Sequence, residues 1–160
     1  MIMVPRKSQE LHLAAFHLGA SWFAVDIMRI REIVPAQRHA GVPLHGTAFD
    51  GMINLRGQVI PLVSLRVFFG MPEQTEQQGK LMIVSVAGRL VALAVDDLDD
   101  VFTVTDQQLV APPDVVDSRR PDYLIAVVAV HDRLYQVLNI DEMVAFSDRY
   151  FTAGTDRNRL

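Results

Sequence analysis

The length of the apolar runs restricts this chain most. Seven stand out: LHLAAFHL (11–18), WFAVDI (22–27), QVIPLVSL (58–65), KLMIVSV (80–86), LVALAV (90–95), YLIAVVAV (123–130) and LYQVLNI (134–140). They are rich in Val, Ile and Leu and are bounded by Gly, Asp, Asn or Pro. A helix usually needs ten or more residues, so runs this short read as strands. Frequent turns between short strands predict a barrel or sandwich.

The chain has 160 residues, enough for one ordinary domain or two small subdomains sharing a core. Half are hydrophobic and 21% are charged, a globular balance. YLIAVVAV is far shorter than the ~18 residues of a membrane helix. No apolar segment precedes the basic residues of MIMVPRKSQE. No direct membrane insertion and a cytoplasmic location are therefore expected. The net charge of −4 offers no basic excess to neutralise phosphates, so no nucleic-acid partner is expected. The absence of Cys removes disulfides, thiolate metal sites and Cys nucleophiles.

Helix signals are few. DEMVAFSDRY (141–150) offers Asp141 as an N-cap and Glu142 in the first turn. TDQQL (105–109) reads as a single turn, and GTAFDGMI (46–53) as a short turn before an Asn-Leu-Arg-Gly corner. LGASW (18–22) and VAGRLV (86–91) read as tight hairpins. MPEQTEQQG (71–79) and APPDVVDSRRPD (111–122) read as loops.

The two halves resemble each other. Ala24-Val25-Asp26 recurs as Ala94-Val95-Asp96, and GQVIPLVSL (57–65) parallels DRLYQVLNI (132–140). The order is the same and the offsets, 70 and 75 residues, are similar, which predicts two related β units packed together.

Reaction chemistry is not evident. The five His show no i, i+4 pair and no HExxH, and His39 and His45 flank an irregular stretch. His12 and His17 have opposite strand parity and make poor joint metal ligands. No nucleophile elbow and no phosphate-binding loop is present. The acidic run DDLDD (96–100) lacks the Gly of a Ca²⁺ loop and reads as a solvated strand end. Trp22, Phe16, Phe23 and the phenylalanines of VFFG (67–70) suit core or hairpin packing, with a recognition patch as the alternative. Neither an enzyme activity, a cofactor nor a metal is expected.

The remaining feature is INLRG (53–57). An Arg ahead of the Gly projects a guanidinium from a β corner. It is either a solvated turn residue worth ~0–1 kcal/mol in an exposed pair, or a planar five-donor fork that anchors a partner. Spacing alone leaves the two open.

GMINLRGQVIPLVSLRVFFG (51–70) resembles the signature segment of CheW-like chemotaxis coupling proteins. The likeness extends through LHLAAFHLGASWFAVDIMRIREIV, VPLHGTAFDGMINLRG, LMIVSVAGRLVALAVDDLDDV and DYLIAVVAVHDRLYQVLNIDEMV, five segments in order. It implies a mostly all-β fold of two intertwined five-stranded SH3-like barrels with a short C-terminal helix. Residues 1–150 would form this single domain, and 151–160 a tail. It implies a non-catalytic adaptor, cytoplasmic and held at membrane-receptor arrays through its partners. Those partners are the cytoplasmic tip of a chemoreceptor and the regulatory domain of the histidine kinase CheA. A paralogue serving pilus motility or biofilm, or a competitor of the main coupling protein, is the alternative.

Carried over by position, Arg56, Asn54, Gly57, Gly51, Ile27, Ile30 and Glu32 would contact or shape the receptor groove. Leu81, Met82 and Ile83 would contact the kinase. An apolar groove can bury one face of a helical receptor tip, and its charges would set orientation more than affinity. The chain departs from the family where Asp is usual at Ser64 and Gly is usual around Ala92, Ala126 and Val128. Larger side chains at the last three are expected to alter packing near an interface.

Overall fold

The computed structural model describes residues 9–36, 49–72, 79–112 and 123–145. Among them lie ten strands: β1 (Glu10–Leu18), β2 (Ser21–Asp26), β3 (Ile30–Pro35), β4 (Phe49–Leu55), β5 (Gln58–Ser64), β6 (Lys80–Val86), β7 (Arg89–Val95), β8 (Asp97–Thr105), β9 (Leu124–Val130) and β10 (Arg133–Leu138). A short helix α1 (Leu65–Phe68) follows β5, 3-10 turns cover Ile27–Arg29 and Asp106–Gln108, and residues 140–145 are helical.

The strands form two five-stranded sheets, ordered β8-β1-β2-β10-β9 and β3-β6-β7-β5-β4. The sequence repeat explains this order. Strands β1 to β5 correspond to β6 to β10, and each sheet takes two strands from one repeat and three from the other. The exchange shows in the parallel pairs: β10 lies beside β2, with Val137 opposite Ala24, and β5 beside β7, with Val63 opposite Leu93. All other named pairs are antiparallel. The architecture is two intertwined SH3-like barrels.

The central strands are apolar throughout because both their faces are buried. On β1, Leu13 and Ala15 point into the first barrel, while Ala14, Phe16 and Leu18 point into a core shared by both sheets. On β6, Leu81 and Ile83 fill the second barrel, while Met82, Val84 and Val86 join the shared core. The residues after β5 cross to the other sheet. Phe69 stacks on Phe23 of β2 with centroids 4.8 Å apart, and Phe68 meets Tyr123 edge-on at 4.6 Å. Burial pushes the Tyr123 phenol above its ordinary pKa.

Several expectations change. The segment 49–53 belongs to strand β4 rather than a turn. Asp141 is not the N-cap of the last helix. Asn139 is, its Oδ1 accepting the Glu142 N–H at 3.3 Å. The acidic run DDLDD forms the bend at Asp96 and the start of β8. Ala92, Ala126 and Val128 face the barrel interiors and are buried, so they bear on interior packing and not on a surface. Ser64 caps α1, its hydroxyl accepting the Val67 N–H at 3.3 Å. It lies at the far end of β5 from the Asn-Leu-Arg-Gly corner, roughly 20 Å away at the usual rise per residue, and has no part in holding that corner. His39 and His45, most of the loops 71–79 and 111–122, and residues 146–160 lie outside the described residues.

Candidate functional site

The Asn-Leu-Arg-Gly corner is the two-residue turn of the β4–β5 hairpin, with Leu55 paired to Gln58. Arg56 has φ +50° and Gly57 φ +85°. Both central residues being left-handed is the type I′ pattern that matches the twist of a hairpin. Gly takes this conformation freely, whereas Arg does so at a cost of roughly 1–2 kcal/mol. Asn54 Oδ1 accepts the Gly57 N–H at 2.8 Å and fixes the corner. The Arg56 guanidinium is therefore held outward on a rigid support, and its side chain is 72% exposed.

Arg56 Nη2 donates to Glu32 Oε1. Glu32 belongs to β3, and β3 and β4 are opposite edges of one sheet. The pair thus draws the two edges together. In the other sheet the segment that follows β8 returns to the opposite edge, where Val110 exchanges backbone bonds with Val127 of β9 at 2.9 and 2.8 Å.

Ile30 lies two residues before Glu32 on β3, and Ile27 opens the 3-10 turn that leads into it. Both are half-buried against the shared core. Between them Met28 is 81% exposed. On the edge strand β8, Val101 pairs with Ala14, a residue of the shared core, and is also largely exposed. Apolar side chains are thus exposed on segments next to this core. Sequence reasoning missed Met28 and Val101, because exposure at a strand edge leaves no compositional mark. Gly51 is buried at a bulge in β4 opposite Leu62 and shapes that strand rather than the corner. The structure thus gathers Arg56, Asn54, Gly57 and Glu32 at one corner, with Ile30 on β3 and Ile27 in the turn before it.

The expectation for Leu81, Met82 and Ile83 is corrected. Their side chains are at most 3% exposed, and β6 lies between β3 and β7 with both edges paired. They hold the cores and have no face free for a partner.

A second polar constellation pins the junction of the barrels. Arg66 of α1 grips Asp96 through Nε to Oδ1 at 2.9 Å and Nη2 to Oδ2 at 2.5 Å. Asp96 Oδ2 also accepts the Gly19 N–H at 2.7 Å, from the β1–β2 turn. Burial alone would raise the Asp96 carboxyl. The Arg66 fork and the Gly19 N–H, with the charges of Arg66 and His17, more than offset this and hold it below the ordinary carboxylate range. The same hydrogen bonds raise the Arg66 pKa against the opposing effect of burial.

His12 Nδ1 bonds Thr103 and His17 Nδ1 bonds Asp99, each at 3.0 Å, so the two histidines have separate partners. Arg133 lies 3.7 Å over the Trp22 ring. Among the described residues, no group of three or more His, Asp or Glu is placed to hold a metal ion, and no helix is long and apolar enough to cross a membrane.

Two interlaced five-stranded barrels, with a cationic hairpin corner near half-buried Ile30, define a paired SH3-like β-barrel protein. A model of the CheW-like domain matches residues 12–147. The chain belongs to the CheW-like domain family. It is 32% identical over 139 residues to the chemotaxis protein CheW of Rhizobium meliloti, spanning 86% of this chain and 89% of that one. It is 27% identical over 140 residues to chemotaxis protein CheW of Treponema pallidum, spanning 84% and 82%. Among solved structures, scaffolding protein TtCheW from Thermoanaerobacter tengcongensis superposes with a TM-score of 0.74. That match has 21% identity over 84% of this chain and 92% of that chain, and it supports the fold alone.

Proposed function

We propose that this protein is a non-catalytic cytoplasmic adaptor that couples the tip of a membrane chemoreceptor to the regulatory domain of the histidine kinase CheA. The observation that carries this reading is the Arg56 fork, displayed on a rigid turn beside the half-buried Ile27 and Ile30. Relatives named chemotaxis protein CheW support it. In this reading an amphipathic receptor helix buries its apolar face over Ile27, Met28 and Ile30. Arg56, braced by Glu32, Asn54 and Gly57, sets its orientation. Gly51 acts further back, by bending β4.

The kinase contact belongs on the outer faces of the barrels. Val59 on β5 and Leu134 on β10 occupy equivalent places in the two repeats and are 64% and 65% exposed. A partner with the same paired-barrel fold can cover such a side chain.

Arg56→Glu tests the receptor half. Circular dichroism is expected to show an unchanged fold, and a pull-down on a receptor-tip fragment is expected to lose the protein. Normal capture of the folded variant would rule out Arg56 as the anchor.

A further inference from the structure

The chain passes between the two sheets at equivalent places, and each crossover is tied to a helix by an ion pair of opposite polarity. From β7 to β8 the chain crosses at Asp96, an acid, which pairs with Arg66 in the helix after β5. From β2 to β3 it crosses through Asp26 to Ile30, where Arg29, a base, pairs with Asp141 in the helix after β10. Because β5 and β10 are equivalent strands, Arg66 and Asp141 stand at matching positions 75 residues apart.

The two ties differ in strength. Arg66 and Asp96 are 18% and 13% exposed and share two hydrogen bonds. Arg29 and Asp141 are 42% and 44% exposed and meet through Nη2 and Oδ2. The first is a fixed clamp, and the second is exposed to water and salt. The weaker one holds the crossover that carries Ile27, Met28 and Ile30. That turn buries none of its own residues. Its local hold is the Asp26 carboxylate accepting the Met28 N–H at 2.9 Å and the Ile30 N–H donating to the Ile27 carbonyl. Those bonds shape the turn, while Ile27 and Ile30 rest on the shared core by apolar contact, which is non-directional, and Ile30 pairs with Val84 of β6. Arg29 adds a directional tie, reaching the first turn of the last helix, where the backbone dipole also favours the Asp141 carboxylate.

We infer that Arg29 and Asp141 are positioning residues. They hold the Ile27–Ile30 segment in its docking orientation and link it to the C-terminal helix. The groove half of this inference rests on the proposed receptor contact.

The chain has no cysteine, so a single nitroxide at Met28→Cys reports the turn without background. In the free protein, Arg29→Ala or Asp141→Ala is expected to sharpen the spectrum as the label gains mobility. The charge-reversed pair Arg29→Asp with Asp141→Arg is expected to restore it, which general loss of stability cannot do. With Met28 in place, either single change is expected to weaken binding of a receptor-tip fragment by about two- to fivefold, and the reversed pair to recover it. An unchanged spectrum in Arg29→Ala overturns the positioning role. A loosened turn with unchanged affinity, while Arg56→Glu abolishes binding, overturns the link between turn and groove. If the unaltered protein binds no receptor tip, the adaptor reading falls and the groove half with it, and the spectra still decide the turn.

Discussion

Removing the Arg66 fork should cost more than its surface position suggests. In Arg66→Ala the Asp96 carboxylate keeps, among the described residues, the Gly19 N–H, and the Pro72 carbonyl loses the Arg66 Nη1 donor at 3.0 Å. Breaking a fully buried pair costs roughly 3–5 kcal/mol, and an exposed pair is worth ~0–1 kcal/mol. With side chains 18% and 13% exposed and a bidentate geometry, this pair falls between those limits. A loss of about 2–3 kcal/mol is expected, a drop of roughly 1 M in the urea midpoint. Asp96→Ala should cost a similar amount. The double variant should fall short of the sum by about 1.5–3 kcal/mol, because the pair is lost once. The dependence on pH has a definite sign. The native Asp96 pKa lies below its unfolded value, so its contribution is complete at neutral pH. It declines as pH drops below about 3.9, where the unfolded chain takes up the proton first, and disappears below the native value. The gap between the unaltered protein and Asp96→Ala should therefore close on acidification. Additive single losses, or a gap that holds constant down to pH 3, would refute the assignment.

Two further changes test local geometry. A Cβ on Gly79 would sit 2.4 Å from the Val95 carbonyl oxygen, at a φ of +106°. Gly79→Ala is therefore expected to lose at least about 1–3 kcal/mol in urea unfolding. Ser64→Ala removes the N-cap of α1 and should cost about 1 kcal/mol, whereas Ser64→Asp should stay within about 0.5 kcal/mol, because Asp caps as well as Ser. Equal losses from the two Ser64 variants would show that the cap contributes nothing.

The parts of this fold legible in the sequence are those buried on two faces. LMIV (81–84) and LVALAV (90–95) are apolar at every position, because each strand serves a barrel and the shared core. The strands not recognised, β3, β4 and β8, are edges, whereas the edge strand β9 is legible as YLIAVVAV because even its exposed positions are apolar. In IREIVP no residue of β3 is fully buried, and Arg31 and Glu32 interrupt the apolar run. Strand β8 begins inside an acidic run and is mostly exposed. Helix α1 has four residues, too few for a helical period to register. The corner was readable because Asn, Arg and Gly each have a mechanical reason to stand there. Its partner Glu32 lies 24 residues away on another edge and came only through the family resemblance. The same resemblance put Leu81, Met82 and Ile83 at a surface. Their unbroken apolar character is instead the mark of a strand with no exposed side. The Arg66–Asp96 fork left one trace, an Arg and an Asp each adjoining an apolar strand, and nothing in the spacing joined them.

The exchange of strands between repeats explains why polar ties gather at the crossovers. Two barrels built from separate repeats would meet only through their surfaces. Here the shared core runs between them and contains strands of both, so sliding one barrel over the other would expose Phe16, Phe23, Met82 and Leu93. Apolar contact is non-directional, however, and resists separation better than it resists small rotations. Direction comes from hydrogen bonds. The fork fixes α1, the β7–β8 bend and the β1–β2 turn with respect to one another, three segments that span both sheets. Its counterpart at the other crossover is single and exposed. One junction of the barrels thus has a bidentate, mostly buried tie and the other a single exposed one, and the second carries the exposed Met28 with the half-buried Ile27 and Ile30. Under the proposed receptor contact, the two barrels would keep their shape while the Ile27–Ile30 segment adjusts to a helix, at a cost that combines the solvent-exposed Arg29–Asp141 pair with the packing of Ile27 and Ile30 on the shared core.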